Sequence, residues 1–203
     1  GTVKTGENAT LTIDAQRRRD IRANHSATHL LHAALRRHLG THVAQKGSLV
    51  DNEKLRFDIS QPVALTDEQI AVIEAEVNDR IRANSEVTTR LLPIDEAREA
   101  GAIAMFGEKY DDEVRVLAMG GTDPDHPSKA YSMELCGGTH VRRTGDIGLL
   151  KITAESAVSA GVRRIEAVTG RGAFAYLTQQ AATLQQVAQN LKASPAEIPA
   201  RTE

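Results

Sequence analysis

The sequence predicts an α+β fold: a mixed, mainly antiparallel sheet with helices packed on it as an open sandwich, preceded by the end of a small β domain. Three observations predict it. Strand-like runs such as "THVAQKGSLV" and "KLRFDIS" are joined by "DNE", a hairpin signal. Two longer segments, from Ala23 and from Thr66, change to helical periodicity. Strands and helices follow one another in mixed order with hairpins between them, as in α+β folds.

In chain order, residues 2–13 alternate polar and apolar like a strand. A helix is expected from about Ala23 to Leu39, with Asn24 as N-cap. After the hairpin, Thr66 and Gln69 form a capping box, and Ile70, Ile73, Val77 and Ile81 mark one face of a second helix. "EVTTRLL" and "EVRVLAM" read as strands with a short helix around Asp95–Ala100 between them, and "GGTDPDHPSKA" as a loop. "YSMELC", "GLLKITAESAV" and "GVRRIEAVTG" complete the strands, and "AFAYLTQQAATLQQVAQNL" is a long last helix. The domain boundaries expected are 1–20 for the end of a preceding β-barrel-like domain, 21–170 for the central domain, and 171–203 for a helix and linker leading onward. From the start within a strand and the end at "IPARTE", a piece of a larger protein is expected.

Composition narrows the function. A single Cys cannot form an internal disulfide and no apolar run reaches the length of a membrane span, so a cytoplasmic chain without a membrane partner is expected. Three per cent aromatic residues and no Trp argue against base-stacking platforms. The net charge of −2 hides an asymmetry. Residues 1–56 hold 10 Lys/Arg against 5 Asp/Glu, residues 57–125 hold 6 against 16, and residues 140–172 hold 6 against 3. Two basic stretches flanking an acidic middle suit an anionic partner that touches part of the surface.

The chemistry resides in two short patterns. His25 and His29 are one helical turn apart, so both imidazoles leave the same face, a common presentation of two ligands to one metal. Ala27, Leu30, Leu31, Ala34 and Leu35 gather opposite them, while His32 falls on the histidine stripe as a rival ligand. Position 26 is Ser, so the Glu of an HExxH protease is missing. Cys136 and His140 give a second pair, with Gly137 and Gly138 between them to let the backbone bend. Three imidazoles and one thiolate suit Zn²⁺, which accepts mixed N/S tetrahedral ligation.

"NHSATHLLHAALRRHLGTHVAQKGSLV", "RFD", "ELCGGTHV" and "GVRRIEAVTG", in this order, resemble the editing domain of bacterial alanyl-tRNA synthetases. That module is similar to freestanding trans-editing deacylases and, more distantly, to the editing region of threonyl-tRNA synthetases. The resemblance runs from about Gly1 to Leu191 and is most specific over 24–60 and 131–170. It implies hydrolysis of the ester joining serine or glycine to the terminal adenosine of tRNA(Ala), with His25, His29, Cys136 and His140 as zinc ligands. The implied partners are the tRNA(Ala) acceptor end and the remaining domains of a parent synthetase. Gln45 matches a pocket position, and Lys46 and Ser48 beside it are assigned to the amino acid or its ester. Gly137 and Gly138 offer backbone N–H groups to the developing oxyanion.

Arg163 and Arg164 adjoin on a strand, so at most one reaches the tRNA end; Arg56 and Asp58 share a strand face that either lines the site or forms an ordinary ion-pair face. Zinc either activates water or polarises the ester carbonyl. With four protein ligands the shell resembles a closed structural site, so Cys136 is a loose ligand or the metal orients the amino acid. Two rival readings remain: a module that only holds an RNA acceptor end around a structural zinc, and a hydrolase of small esters or amides. The missing HExxH Glu counts against the second, and apart from Glu134 no carboxylate stands beside these residues in sequence.

Overall fold

The computed structural model describes residues 4–6, 8–104, 110–126 and 129–202. Its strands form two antiparallel sheets. The larger takes β1 (Gln45–Val50), β2 (Leu55–Ser60), β6 (Leu150–Ser159) and β7 (Val162–Thr169) in the order β1-β2-β7-β6. The smaller takes β3 (Thr88–Pro93), β4 (Glu113–Thr122) and β5 (Ala130–Leu135) in sequence order. The expected α+β architecture is present, with the strands divided between two sheets rather than joined in one.

The division follows from the helices. α1 (Ala15–Leu39) packs against β1, β2 and β7 of the larger sheet, against β5 of the smaller, and against α2 (Asp67–Arg82). Each sheet turns one face toward this helical layer. Leu55, Phe57 and Ile59 of β2 and Ile165 of β7 face it from one side, Leu117 and Met119 of β4 from the other. Leu30, Leu31 and Leu35 of α1 are fully buried among them, each contributing about 1.5–3 kcal/mol from burial. The far face of the smaller sheet packs Val114, Val116 and Leu135 on Ala97 of α3 (Ile94–Glu99). The capping box read at Thr66 and Gln69 is formed, at 3.2 and 3.0 Å.

Three expectations are corrected. α1 starts at Ala15, capped by Asp14, whose side chain accepts the Arg17 N–H at 2.9 Å; the helix runs across the boundary expected at residue 20. Asn24 lies buried within it. Its Nδ2 donates to the Asp51 carbonyl at 2.9 Å, and its Oδ1 accepts from the Thr169 hydroxyl at 2.7 Å. A buried amide needs partners, and those available to Asn24 are the β1–β2 turn and the end of β7.

The strand expected over residues 2–13 is absent among the described residues there, and residues 1–3 and 7 lie outside them. No strand of either sheet runs beside the segment, so its alternation finds no ladder, and Leu11 is 94% exposed. Beyond α4 (Gly170–Asn190), a 3-10 turn at Pro195–Glu197 and α5 (Ile198–Thr202) follow, which sequence patterning did not anticipate. No helix among the described residues is long and apolar enough to cross a membrane.

Candidate metal centre and pocket

α1 and the segment after β5 bring His25, His29, Cys136 and His140 together. Their potential ligand atoms all lie within 4.8 Å of one another. Ring centroids are 5.2 Å apart for His25–His29, 4.3 Å for His25–His140 and 5.0 Å for His29–His140. Cys136 Sγ is 3.6 Å from His25 Nε2. These are separations that one central ion would bridge, given metal–ligand bonds of about 2.0–2.3 Å.

Ser26 explains how the two halves stay in register. Its buried hydroxyl accepts the Val141 N–H at 3.1 Å and lies 3.4 Å from His140 Nδ1. The residue that excluded an HExxH reading thus fastens the Cys136–His140 segment to the helix. Gly138 is needed for space rather than for bending. A Cβ there would sit 2.3 Å from His25 Cε1, whereas one at Gly137 would meet nothing within 4 Å.

Glu134, on the α1-facing side of β5, is buried and holds two imidazoles. His29 Nδ1 donates to its Oε2 at 2.7 Å and His32 Nδ1 to its Oε1 at 2.9 Å. The carboxylate therefore fixes the tautomer of His29 and turns Nε2 toward the cluster, the usual arrangement behind a metal-bound histidine. His32 stays outside the four-residue cluster, its ring packed edge-on against Phe57 at 5.3 Å.

Charge in the site is strongly coupled. Burial raises the Glu134 carboxyl, but the charge and hydrogen bond of His29 outweigh it and hold Glu134 well below the usual carboxylate range. Burial lowers His29, yet Glu134 and the Cys136 sulfur raise it to about 10. Burial raises the Cys136 thiol, but contacts to His140, His25 and His29 bring it down to about 3, so it is a thiolate at neutral pH. Burial, with the charges of His25 and His29, lowers His140.

The Nε2 atoms of His29 and His140 are buried and have no hydrogen-bond partner. Two orphaned imidazole nitrogens aimed into a cluster that also holds a thiolate fit a divalent, nitrogen- and sulfur-preferring ion such as Zn²⁺.

A cleft of about 380 Å³ opens beside the cluster. Gln45 and Ser48 line it together with Phe57, Thr28, Gly137 and Gly138. Gln45 and Ser48 are three apart and would point to opposite faces of a regular strand. A bulge resolves this: Gln45 pairs with Ile59 and Gly47 with Asp58, so Lys46 is the extra residue. Both flanking side chains thereby turn toward α1, and Lys46 does not line the cleft.

The arginines lie elsewhere. Arg164 makes a two-pronged pair with Asp58, at 2.7 and 2.8 Å, and Arg56 Nε is 3.9 Å from the same carboxylate. Arg163, on the opposite face as its adjacency required, pairs with Glu155 at 2.5 Å. Of the residues expected in the site, then, Arg56, Arg163, Arg164 and Lys46 do not line the cleft. Glu134 and Thr28, which do, carried no assigned role in the sequence reading. Glu134 was visible only as the carboxylate next to the ligands, and Thr28 only as a polar residue preceding His29.

A helix and a strand end that converge on one mixed histidine–cysteine cluster define a candidate metal-binding domain, and sequence comparison places it. Residues 114–166 match the family described as the threonyl and alanyl tRNA synthetase second additional domain. Over 99% of its length the chain is 62% identical to the alanine–tRNA ligase of Rhizorhabdus wittichii, of which it covers 23%. It is 61% identical, over 99% of its length, to that of Sphingopyxis alaskensis, covering 22%. With that of Rhizobium meliloti it shares 56% identity over its full length, covering 23%. The resemblance to alanyl-tRNA synthetase carried by the four motifs thus extends along nearly the whole chain, which spans less than a quarter of these relatives.

Proposed function

We propose that this chain is the editing module of an alanyl-tRNA synthetase, a zinc-dependent deacylase that hydrolyses seryl- or glycyl-tRNA(Ala), working in the cytoplasm with the other domains of its parent enzyme. The observation that carries the reading is the adjacency of the His25–His29–Cys136–His140 cluster to a cleft lined by Gln45, Ser48 and Thr28. His25, His29, Cys136 and His140 would hold Zn²⁺, which when bound supplies Lewis-acid charge at the ester. Glu134 keeps His29 oriented. Gln45 and Ser48 position the amino acid and its ester, Phe57 forms the apolar floor, and Gly137 and Gly138 place backbone N–H groups at the mouth for the developing oxyanion.

The selectivity problem explains the polar lining. A pocket built for alanine separates glycine and serine only weakly, since one methyl or one hydroxyl is worth about 1–3 kcal/mol there. A second pocket with hydroxyl and amide groups accepts serine through hydrogen bonds that alanine leaves unmade.

The test pairs the zinc content of the purified protein with release of serine from Ser-tRNA(Ala) and of alanine from Ala-tRNA(Ala). One zinc per chain, cleavage of the seryl ester and sparing of the alanyl ester are expected. Full deacylation after zinc is stripped overturns the metal's role. Protection of the ester without cleavage instead supports a module that holds the acceptor end, the reading that four protein ligands favour.

A further inference from the structure

The stripe of α1 that carries His25 and His29 continues toward the N-terminus with arginines. Arg18 precedes His25 by seven residues and Arg22 precedes His29 by seven. Seven residues bring a helix back to within about 20° of the same direction, about 10.5 Å along its axis. From the other half of the metal cluster, Arg142 follows His140 by two residues. Arg18, Arg19, Arg22 and Arg142 line a groove of about 550 Å³ with Ile13, Val141 and Asp146, and among the described residues Arg19 alone of the four has a side-chain partner, donating to Gln16 Oε1 at 2.5 Å. The groove therefore adjoins the cluster along both segments that build it.

What marks Arg18, Arg22 and Arg142 is that three guanidiniums without partners share one groove. Arg37, Arg163, Arg164 and Arg171 are each paired with carboxylates. Among the described residues, none of Arg18, Arg22 and Arg142 makes a side-chain hydrogen bond or ion pair, and Arg22 Nε is buried without a partner. Asp146, the one carboxylate lining the groove, accepts the Arg143 backbone N–H at 3.1 Å and makes no ion pair with Arg18, Arg22 or Arg142. Arg18 and Arg22 are half-buried, so their charge is partly desolvated without compensation from the protein. Three unneutralised guanidiniums along one channel are a site for successive phosphates, which the planar guanidinium fork matches.

We infer that the groove of Arg18, Arg22 and Arg142 binds the phosphates of an RNA 3′ single strand and feeds its terminal nucleotide to the histidine–cysteine cleft. This rests on the proposed function and assigns the acceptor end its path. No aromatic side chain lines the groove, so the binding is electrostatic and indifferent to base sequence.

The experiment is fluorescence anisotropy of an uncharged, labelled RNA hairpin with an unpaired 3′ tail, titrated with the chain over a salt series. The triple variant Arg18→Gln, Arg22→Gln, Arg142→Gln is expected to bind at least tenfold more weakly at low salt. The slope of log K against log salt should flatten by about 0.7 for each phosphate no longer neutralised, about 2 in all. Removing the tail should weaken binding to the wild type and leave the triple variant unchanged. The corresponding triple Lys variant, which keeps the charge, should retain the slope, and Arg98→Gln on α3 should bind as the wild type does. An unchanged slope in the Gln triple, an equal loss in Arg98→Gln, or no binding of the hairpin even at low salt overturns the inference. Hydrolysis is not read, so a chain that binds through the groove and does not cleave a seryl ester overturns the deacylase reading alone.

Discussion

Two polar surfaces lie back to back across β2. On the outer face the Asp58 carboxylate is shared between Arg56 and Arg164 within a single sheet. On the inner face Gln45, Ser48 and the histidine–cysteine cluster meet from three separate parts of the chain, and the Nε2 atoms of His29, His32 and His140 there are buried without a hydrogen-bond partner. The outer face leaves one buried nitrogen, Arg56 Nε, without a hydrogen bond, whereas the inner face gathers several such nitrogens around one cleft. Unsatisfied nitrogens that converge on one cleft mark where a ligand belongs, whereas the buried Asp58 carboxylate has its partners within its own sheet.

The comparison can be broken most sharply at the histidine–cysteine cluster. His25→Ala or Cys136→Ala should abolish stoichiometric zinc, measured by metal analysis, and lower seryl-tRNA(Ala) hydrolysis by at least about 100-fold, the scale of losing a catalytic metal's contribution. Retained zinc in both variants would refute the cluster as one centre. One step outward, Glu134→Gln leaves one of the two imidazoles without an acceptor and should weaken zinc about 10- to 100-fold in a chelator competition. Asn24→Ala removes two buried bonds between α1 and the larger sheet; a loss of about 2 kcal/mol is expected, seen as a fall in Tm of about 4–8 °C.

The smallest effect belongs to the outer face. Arg164→Gln should leave zinc content unchanged and move Tm at pH 7 by no more than about 2 °C. The hydrogen bond from Arg164, aided by its charge and that of Arg56 and opposed by burial, holds the Asp58 carboxyl below its ordinary 3.8. A depressed folded-state value stabilises the fold at pH above 3.8, and that contribution is lost as pH falls through the lower folded-state value. Asp58→Asn should therefore show a smaller drop in Tm between pH 5 and pH 2 than the wild type; an identical drop would remove Asp58 from the acid sensitivity.

Much of this was legible in the residues, and the misses have physical causes. The His25–His29 spacing fixes a shared helix face whatever the helix packs against, so that half of the cluster was readable locally. Cys136 and His140 were readable as a pair, but nothing local says that Ser26 fastens them to α1. Asn24 looked like a cap because its type favours caps; three-dimensional neighbours gave its amide better partners, and Asp14 took the role. The alternation over residues 2–13 is the same signal that identified β2 and β7, yet a strand exists only where another lies beside it. Gln45 and Ser48 were picked by resemblance, but strand periodicity alone would have separated them, because a bulge is invisible in a polar–apolar pattern.

By itself the sequence determined most element types, the apolar face of α1 and the two pairs His25–His29 and Cys136–His140, since these depend on spacing along one helix or one turn. The tertiary structure decided which polar groups are complete and which wait for a partner. It paired Arg163 and Arg164 with carboxylates, gave Glu134 two histidines to hold, and left Arg18, Arg22 and Arg142 unpaired beside the cluster. That difference is one of distance: a charge's energy depends on what lies within a few ångströms of it, and only folding sets those neighbours.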